Sequence, residues 1–420
     1  MRESIYWLEG VERPTFPSRP PEKCRTLIIG GGYTGLAAAI GLRRAGEEAT
    51  VIDAKPLATG ASSRNGGMVL TGLSEDPEKV IQRNGLETAR RLYAESEEAV
   101  DLIERLVRDG GIDCDFRRTG YIVAAYKPGH WEGLKGLRDL LERDFNRKTE
   151  LLTAAELAGE LGSAAYHGGL LKPRGAGFNP AKFASGLLKM ARDLGVDLYE
   201  NVAARQVDRR GTGYVVRTDQ GAVRAERVVI AANGYLDRLV PYLGRRIVPV
   251  RSLMIATEPL PPEEARSLIP RDRMFSDTKI FLYYFRLSPD GRRLLFGGRP
   301  RHYRRGLLDN ARVMQRDMLS IFPRLKPYRV DCAWWGKLGF TLDRLPHIGG
   351  RDNLFFALGY CGHGAALAVY LGDKLAGMVQ GRPCESEFSR PRFRAVPFHH
   401  GRPWFLPLVY NYFSLKDWAV

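Results

Sequence analysis

Six residues near the amino end, Gly30-Gly31-Gly32-Tyr33-Thr34-Gly35, have the types and spacing to cradle a pyrophosphate. The first glycine of such a turn makes it tight, the second admits backbone N–H groups to the phosphates, and the third lets helix and strand pack closely. Asp53, at the end of the next apolar run, is placed to accept hydrogen bonds from an adenosine ribose. This pattern alone serves NAD as well as FAD. Two further loops favour FAD. One is Gly60-Ala-Ser-Ser-Arg-Asn-Gly-Gly67, where a plain NAD domain would continue with regular strand–helix units; the other is Gly359-Tyr-Cys-Gly-His-Gly364, which opens a helix. Pyrophosphate and flavin both need backbone donors, and a second helix N-terminus suits the anionic N1–O2 region of reduced flavin.

These loops need elements to hold them. Arg25–Ile29 reads as a buried strand entering the turn, Leu36–Leu42 as the helix leaving it, Ala45-Gly46 as its stop, and Ala49–Asp53 as the next strand. From Asp76 to about Glu160 the pattern is helical and charged, with a strand at Gly120–Ala125. Asn179-Pro180 is a helix start, since Asn caps and Pro suits the first position. Short strands follow at 196–199, 204–209 and 213–218, and a buried one at Arg227–Ala232. Residues 247–298 alternate as antiparallel sheet, with a hairpin of Phe281–Leu287, the turn Ser288-Pro289-Asp290-Gly291, and Leu294–Phe296. Helices are expected at Asp309–Leu319 and Ala365–Gln380. The fold class is α/β: a Rossmann-like, glutathione-reductase-type FAD domain interleaved with an α+β substrate domain that contains an antiparallel sheet. The FAD domain takes 24–75, 176–240 and 331–385, the substrate domain 76–175 and 241–330, and a tail 386–420.

At 420 residues two intertwined domains are expected, and 44% hydrophobic with 27% charged residues is an ordinary globular composition. The longest apolar runs, Leu36–Ile40 and Val228–Ala232, fall far short of a membrane span. Met1–Pro21 has no apolar core of a secretory signal. Five scattered cysteines support neither a disulfide framework nor a metal site, and fit a reducing cytoplasm. The net charge of +16 raises the question of nucleic acid, yet the arginines are dispersed and no specific nucleic-acid motif accompanies them. Genome-driven arginine usage together with attraction to an anionic ligand or substrate accounts for the charge, and RNA or lipid headgroups are left open as weak partners. Oligomeric state is left open.

Taken together, the chain resembles the D-amino-acid-oxidase-like FAD-dependent amine oxidoreductases, and within them gamma-glutamylputrescine oxidase-like proteins. The likeness spans Ser4-Ile-Tyr-Trp7, Gly30–Leu36, Ala61–Gly67, Val229–Tyr235, Leu295–Gly298, Trp335-Gly336, Thr341-Leu-Asp343, Leu345-Pro346, Gly359–Gly364 and Ser414–Asp417. It implies that Gly30, Gly32, Gly35 and Asp53 hold the ADP half of FAD, with Val202 near the adenine and Tyr33, Thr34 and Ala232 as further cofactor-binding residues. Ser63, Arg64, Asn65, Gly66 and Gly67 would run along the isoalloxazine, and Gly336, Gly362, His363 and Gly364 would line its other side. Relatives that attach FAD covalently use a cysteine or histidine where this chain has Gly336 and Ser63-Arg64-Asn65, so non-covalent FAD is expected.

The reaction implied is oxidation of a primary or secondary amine, or an amino acid, to an imine by hydride transfer to flavin N5, followed by hydrolysis. Oxygen or another electron acceptor would reoxidise the flavin. Some relatives place an oxygen-activating lysine where Leu295 and Phe296 stand here, which leaves a dehydrogenase using another acceptor open beside an oxidase. Tyr284 and Arg286 share a face of the hairpin strand, opposite Phe281, Tyr283 and Phe285, and are candidates for substrate contact, with Arg suited to gripping a carboxylate. The alternative is a surface arginine and core tyrosines. His363 is either a flavin contact or a packed histidine, and Trp334-Trp335 either core or a wall by the flavin. The aromatic tail Trp404–Phe413 is expected to pack, with Pro407 interrupting any amphipathic helix; a dimer contact and a membrane-surface foot are the other readings. Two further functions fit the same residues: a tRNA-modifying flavoprotein, marked by a mobility shift with tRNA at physiological salt, and a non-catalytic flavin-binding protein, whose flavin no amine would bleach.

Overall fold

The computed structural model describes residues 1–300, 305–401 and 403–419; residues 301–304, 402 and 420 lie outside it. Strand Lys23–Ile29 is apolar in its second half because Leu27, Ile28 and Ile29 are enclosed on both faces, as a parallel strand covered by helices requires. It pairs in parallel with Thr50–Ile52 on one side and Gly221–Ile230 on the other. Asp197–Tyr199 and Leu354–Leu358 extend the parallel set. Antiparallel strands Ala204–Arg210, Gly213–Thr218 and His347–Arg351 complete this sheet, which has eight strands among the described residues.

Two helices lie against it, Tyr33–Arg44 and Gly364–Val379. Small residues bring them together: a Cβ on Gly41 would stand 2.7 Å from that of Ala376, and one on Gly372 would strike the Thr34 carbonyl. Near their amino ends Thr34 Oγ1 and the Tyr360 hydroxyl share a hydrogen bond of 2.7 Å. The two loops picked out from sequence therefore open toward one region.

A second sheet, mixed and nine-stranded among the described residues, runs in the order Arg2–Glu3, Val330–Phe340, Val248–Thr257, Leu294–Gly298, Tyr283–Leu287, Met274–Asp277, Tyr121–Ala124, Gly168–Lys172, Glu150–Thr153. Its buried face stacks Phe285 between Phe275 and Phe296, with ring centroids 5.4 and 5.7 Å apart, and helix Leu307–Ile321 closes over it. Val330–Phe340 pairs antiparallel with Val248–Thr257 along its length. The expected segment boundary at 331 thus falls inside a strand of this second sheet, because the pairing partner lies far away in sequence. Phe281 also departs from expectation. It precedes strand Tyr283–Leu287 instead of continuing its alternation, and packs on Tyr410 of the tail at 5.2 Å.

Helix Pro180–Asp193 starts as read, with the Asn179 side chain accepting from the N–H groups of Ala181 and Lys182. The tail is different: Leu406–Ala419 is helical. Pro407 falls in its first turn, where the missing N–H has no partner to lose. Among the described residues no helix is long and apolar enough to cross a membrane.

Candidate flavin cavity and amine site

Residues from both sheets line one cavity of about 670 Å³. Its first end is the glycine turn. Gly30 has φ +113°, and a Cβ there would sit 2.8 Å from the Ala231 carbonyl carbon, so only glycine lets the two parallel strands meet. A Cβ on Gly35 would strike the Gly30 carbonyl oxygen, which explains the third glycine as a packing residue. Gly32 heads the helix and has no side chain to cap it; the N–H groups of Thr34 and Gly35 and the positive helix end are therefore left for an anion. Ser62 Oγ accepts from Tyr33 N at 2.9 Å and pins the second loop to this turn.

Asp53 accepts from Gly31 N at 2.8 Å and Lys55 N at 3.0 Å, one on each oxygen. Burial nevertheless raises its carboxyl above the usual range, those two donors opposing it. Each oxygen keeps a further lone pair, so ribose hydroxyls would supply what burial withholds. Val202, Ala232, Lys55 and Arg205 border the same end.

The 60–67 loop forms the middle wall, and its carbonyls are tied down from outside the cavity. Trp7 Nε1 donates to Asn65 O at 2.7 Å, Trp334 Nε1 to Arg64 O at 2.9 Å, and Arg286 Nη1 to Gly67 O at 2.5 Å. Arg64, Asn65 and Gly66 line the cavity. Ser63 does not: its hydroxyl donates to Ala58 O at 2.5 Å. Gly67 lies behind the wall, its α-carbon turned toward Phe178 O and the Trp7 ring. Trp334 is core and clamp at once, 2% exposed.

At the far end Gly336, Gly362, His363 and Gly364 line the cavity. Gly362 has φ +96°, and the turn it makes leads into the start of helix Gly364–Val379, which no side chain caps. His363 Nδ1 is buried without a partner. Burial, with the charges of Lys172 and Arg344 adding to it, pushes the imidazole down to about 4. Tyr284 also lines this end. Its hydroxyl meets Ser252 Oγ at 2.9 Å, and its ring occupies the room left by Gly66 and Gly297.

Arg286 does not reach the cavity. The guanidinium lies one pleat further along and is spent on the carbonyls of Gly67, Phe178 (3.3 Å) and Leu287 (3.0 Å). It is 5% exposed, and burial brings it down to about 10. Replacing it by Met should lower unfolding free energy by about 2 kcal/mol, since three buried carbonyls lose a charged donor. The amine KM of the flavin-saturated enzyme should stay unchanged. Denaturant titration and initial rates check this; a raised KM at unchanged stability would return Arg286 to the substrate.

Arg344 was not singled out from sequence. It lines the far end, with Nε buried and unpartnered and Nη2 donating to Ser74 Oγ at 3.3 Å. Glu75 stands 4.0 Å away and is itself held by Arg83 at 2.9 Å. No spacing rule points to it, because it follows Asp343 in a loop whose φ of +59° only the folded chain reveals.

The cavity has two helix ends without side-chain caps, the Asp53 carboxylate and a glycine-bordered middle wall, and the chain matches the family model FAD dependent oxidoreductase (DAO) over residues 25–378. The chain belongs to this family. It is 34% identical to gamma-glutamylputrescine oxidoreductase of Escherichia coli (strain K12) over 399 residues, covering 94% of this chain and 93% of that protein. Among solved structures it resembles glycine oxidase from Geobacillus kaustophilus, with TM-score 0.75 and 21% identity over 89% of this chain and 99% of that one. L-proline dehydrogenase from P. horikoshii gives TM-score 0.71 and 21% identity over 89% and 98%. The protein is thus an FAD-dependent oxidoreductase of the kind that acts on amines or amino acids.

Proposed function

We propose that the chain oxidises the carbon–nitrogen bond of a carboxylate-bearing primary or secondary amine in the cytoplasm, using non-covalently held FAD. The observation that carries the substrate class is Arg344, a cation with an unpartnered buried Nε on the wall of the far end. The gamma-glutamylputrescine relative supports an amine with a carboxylate, and the five unpaired cysteines support a reducing compartment.

Bound FAD supplies the two-electron acceptor that takes a hydride from the carbon next to nitrogen. The chain's residues then have limited tasks. Arg344 holds the substrate carboxylate, and Tyr284 with Ser252 sets the polar edge of the sheet wall. Met68, Leu70, Leu282 and Phe340 keep water from the reacting carbon. As the hydride leaves, the nitrogen lone pair forms the C=N bond, the nitrogen sheds a proton to solvent, and water later hydrolyses the imine to a carbonyl and a free amine or ammonia. A carbonyl trapped by a hydrazine reagent, in step with consumption of an artificial oxidant, is the expected product; oxidant consumption without a carbonyl overturns this chemistry.

Burial pushes His363 down to about 4, too weak a base to take the proton of an ammonium, so on this reading the amine binds unprotonated. The kcat/KM profile should rise toward the substrate amine's own pKa with no inflection near the ordinary histidine value of 6.5. An inflection there that His363→Asn removes would make His363 a base. Denatured protein should release all its yellow colour to the supernatant, since no cysteine or histidine stands at 336 or 63–65. Colour retained on the precipitate would contradict non-covalent attachment.

A further inference from the structure

The tail helix Leu406–Ala419 is apolar on two sides. Leu406 and Tyr410 are buried against Val248, Val250 and Phe281. On the opposite side Leu408, Tyr412 and Leu415 recur at spacings of four and three residues and are 65%, 61% and 69% exposed. Trp404, just before the helix, is 64% exposed and in phase with them, and Phe398, 81% exposed, is linked to it through a bond from Trp404 Nε1 to Phe398 O of 3.2 Å. Large apolar side chains this exposed, in one stripe, mark a surface that something covers.

The charge around the stripe says what. Arg392 and Arg394 lie on the segment leading into the helix, just after Arg390, which pairs with Glu387 at 2.9 Å. The segment leading into the helix runs beside a second basic stretch: Val396 N bonds to Arg245 O, Arg246 Nε to Phe393 O, and Arg238 Nε to His400 O. Arg245, Arg392 and Arg394 are exposed and form no ion pair among the described residues. A second copy placed by a two-fold axis would set basic surface against basic surface. An anionic lipid surface instead meets both features, with Trp and Tyr at the headgroup level and arginines on the phosphates. At 14 residues the helix lies on a bilayer rather than through it.

We propose that the Trp404-Leu408-Tyr412-Leu415 stripe seats this enzyme on an anionic membrane surface. Holoenzyme should co-sediment with vesicles of phosphatidylcholine and phosphatidylglycerol at physiological salt, and at least about tenfold less with phosphatidylcholine alone. Leu408→Glu/Tyr412→Glu should lose at least tenfold of that binding while keeping its flavin, thermal midpoint and turnover of soluble substrate. Trp404→Ser, outside the helix, gives an independent loss should the double variant fold poorly. Wild-type protein remaining in the supernatant overturns the proposal. So does binding that all these variants retain, which would be charge alone, or a wild-type dimer that the double variant turns to monomer without any lipid binding.

Discussion

Gly32→Val should give a folded, colourless protein whose FAD affinity falls by at least about 100-fold, near 3 kcal/mol. Gly32 has φ −91°, an ordinary value, so a side chain costs the backbone nothing. Its Cβ would, however, stand 2.8 Å from Ser62 Oγ, the atom that receives Tyr33 N and joins the two loops. The two added methyl groups project into the lining where the phosphates must approach the helix end. Gly30→Ala is a poorer test, because the positive φ and the Ala231 carbonyl would disturb the strand pairing itself. Titrating FAD into apoprotein and following flavin fluorescence reads the affinity. Binding within threefold of the parent would place the pyrophosphate elsewhere.

Arg344→Met should lower kcat/KM for carboxylate-bearing amines by about 10- to 100-fold and leave amines without a carboxylate within about twofold. The magnitude is kept modest because the side chain is 43% exposed, and solvent screens part of its charge. Little stability should be lost. The Ser74 bond is long at 3.3 Å, the Glu75 oxygen is 4.0 Å away, and a buried donor without a partner disappears. Initial rates with paired substrates that differ only in the carboxylate measure the effect. An equal fall for both would make Arg344 a support for the cavity wall and not a substrate contact.

What the sequence showed was governed by range. The turn at Gly30–Gly35, the capped helix at Asn179 and the hairpin turn at 288–291 are settled by neighbours a few residues away, and each forms as read. The placement of Ser63, Gly67 and Arg286 was not, since loop carbonyls and side chains compete for the same donors only once distant segments meet. Trp7 and Trp334 reach the 60–67 loop from the amino end and from the second sheet. Neither the strand period nor the turn chemistry encodes such a clamp. Period-two alternation put Tyr284 and Arg286 on one face correctly, but a face spans more than a site: one pleat separates a cavity wall from a buried brace. Pro407 misled for a similar reason. A proline breaks a helix interior and suits a first turn, and only the boundary decides which applies.

The claim that ties the cavity to its chemistry is reduction of bound flavin by an amine. Holoenzyme kept free of oxygen, mixed with a panel of primary and secondary amines with and without carboxylates, reports this directly in the visible flavin absorbance. Bleaching by carboxylate-bearing amines, with equimolar carbonyl product, is the predicted result. A flavin that dithionite reduces but no amine in the panel does would contradict it.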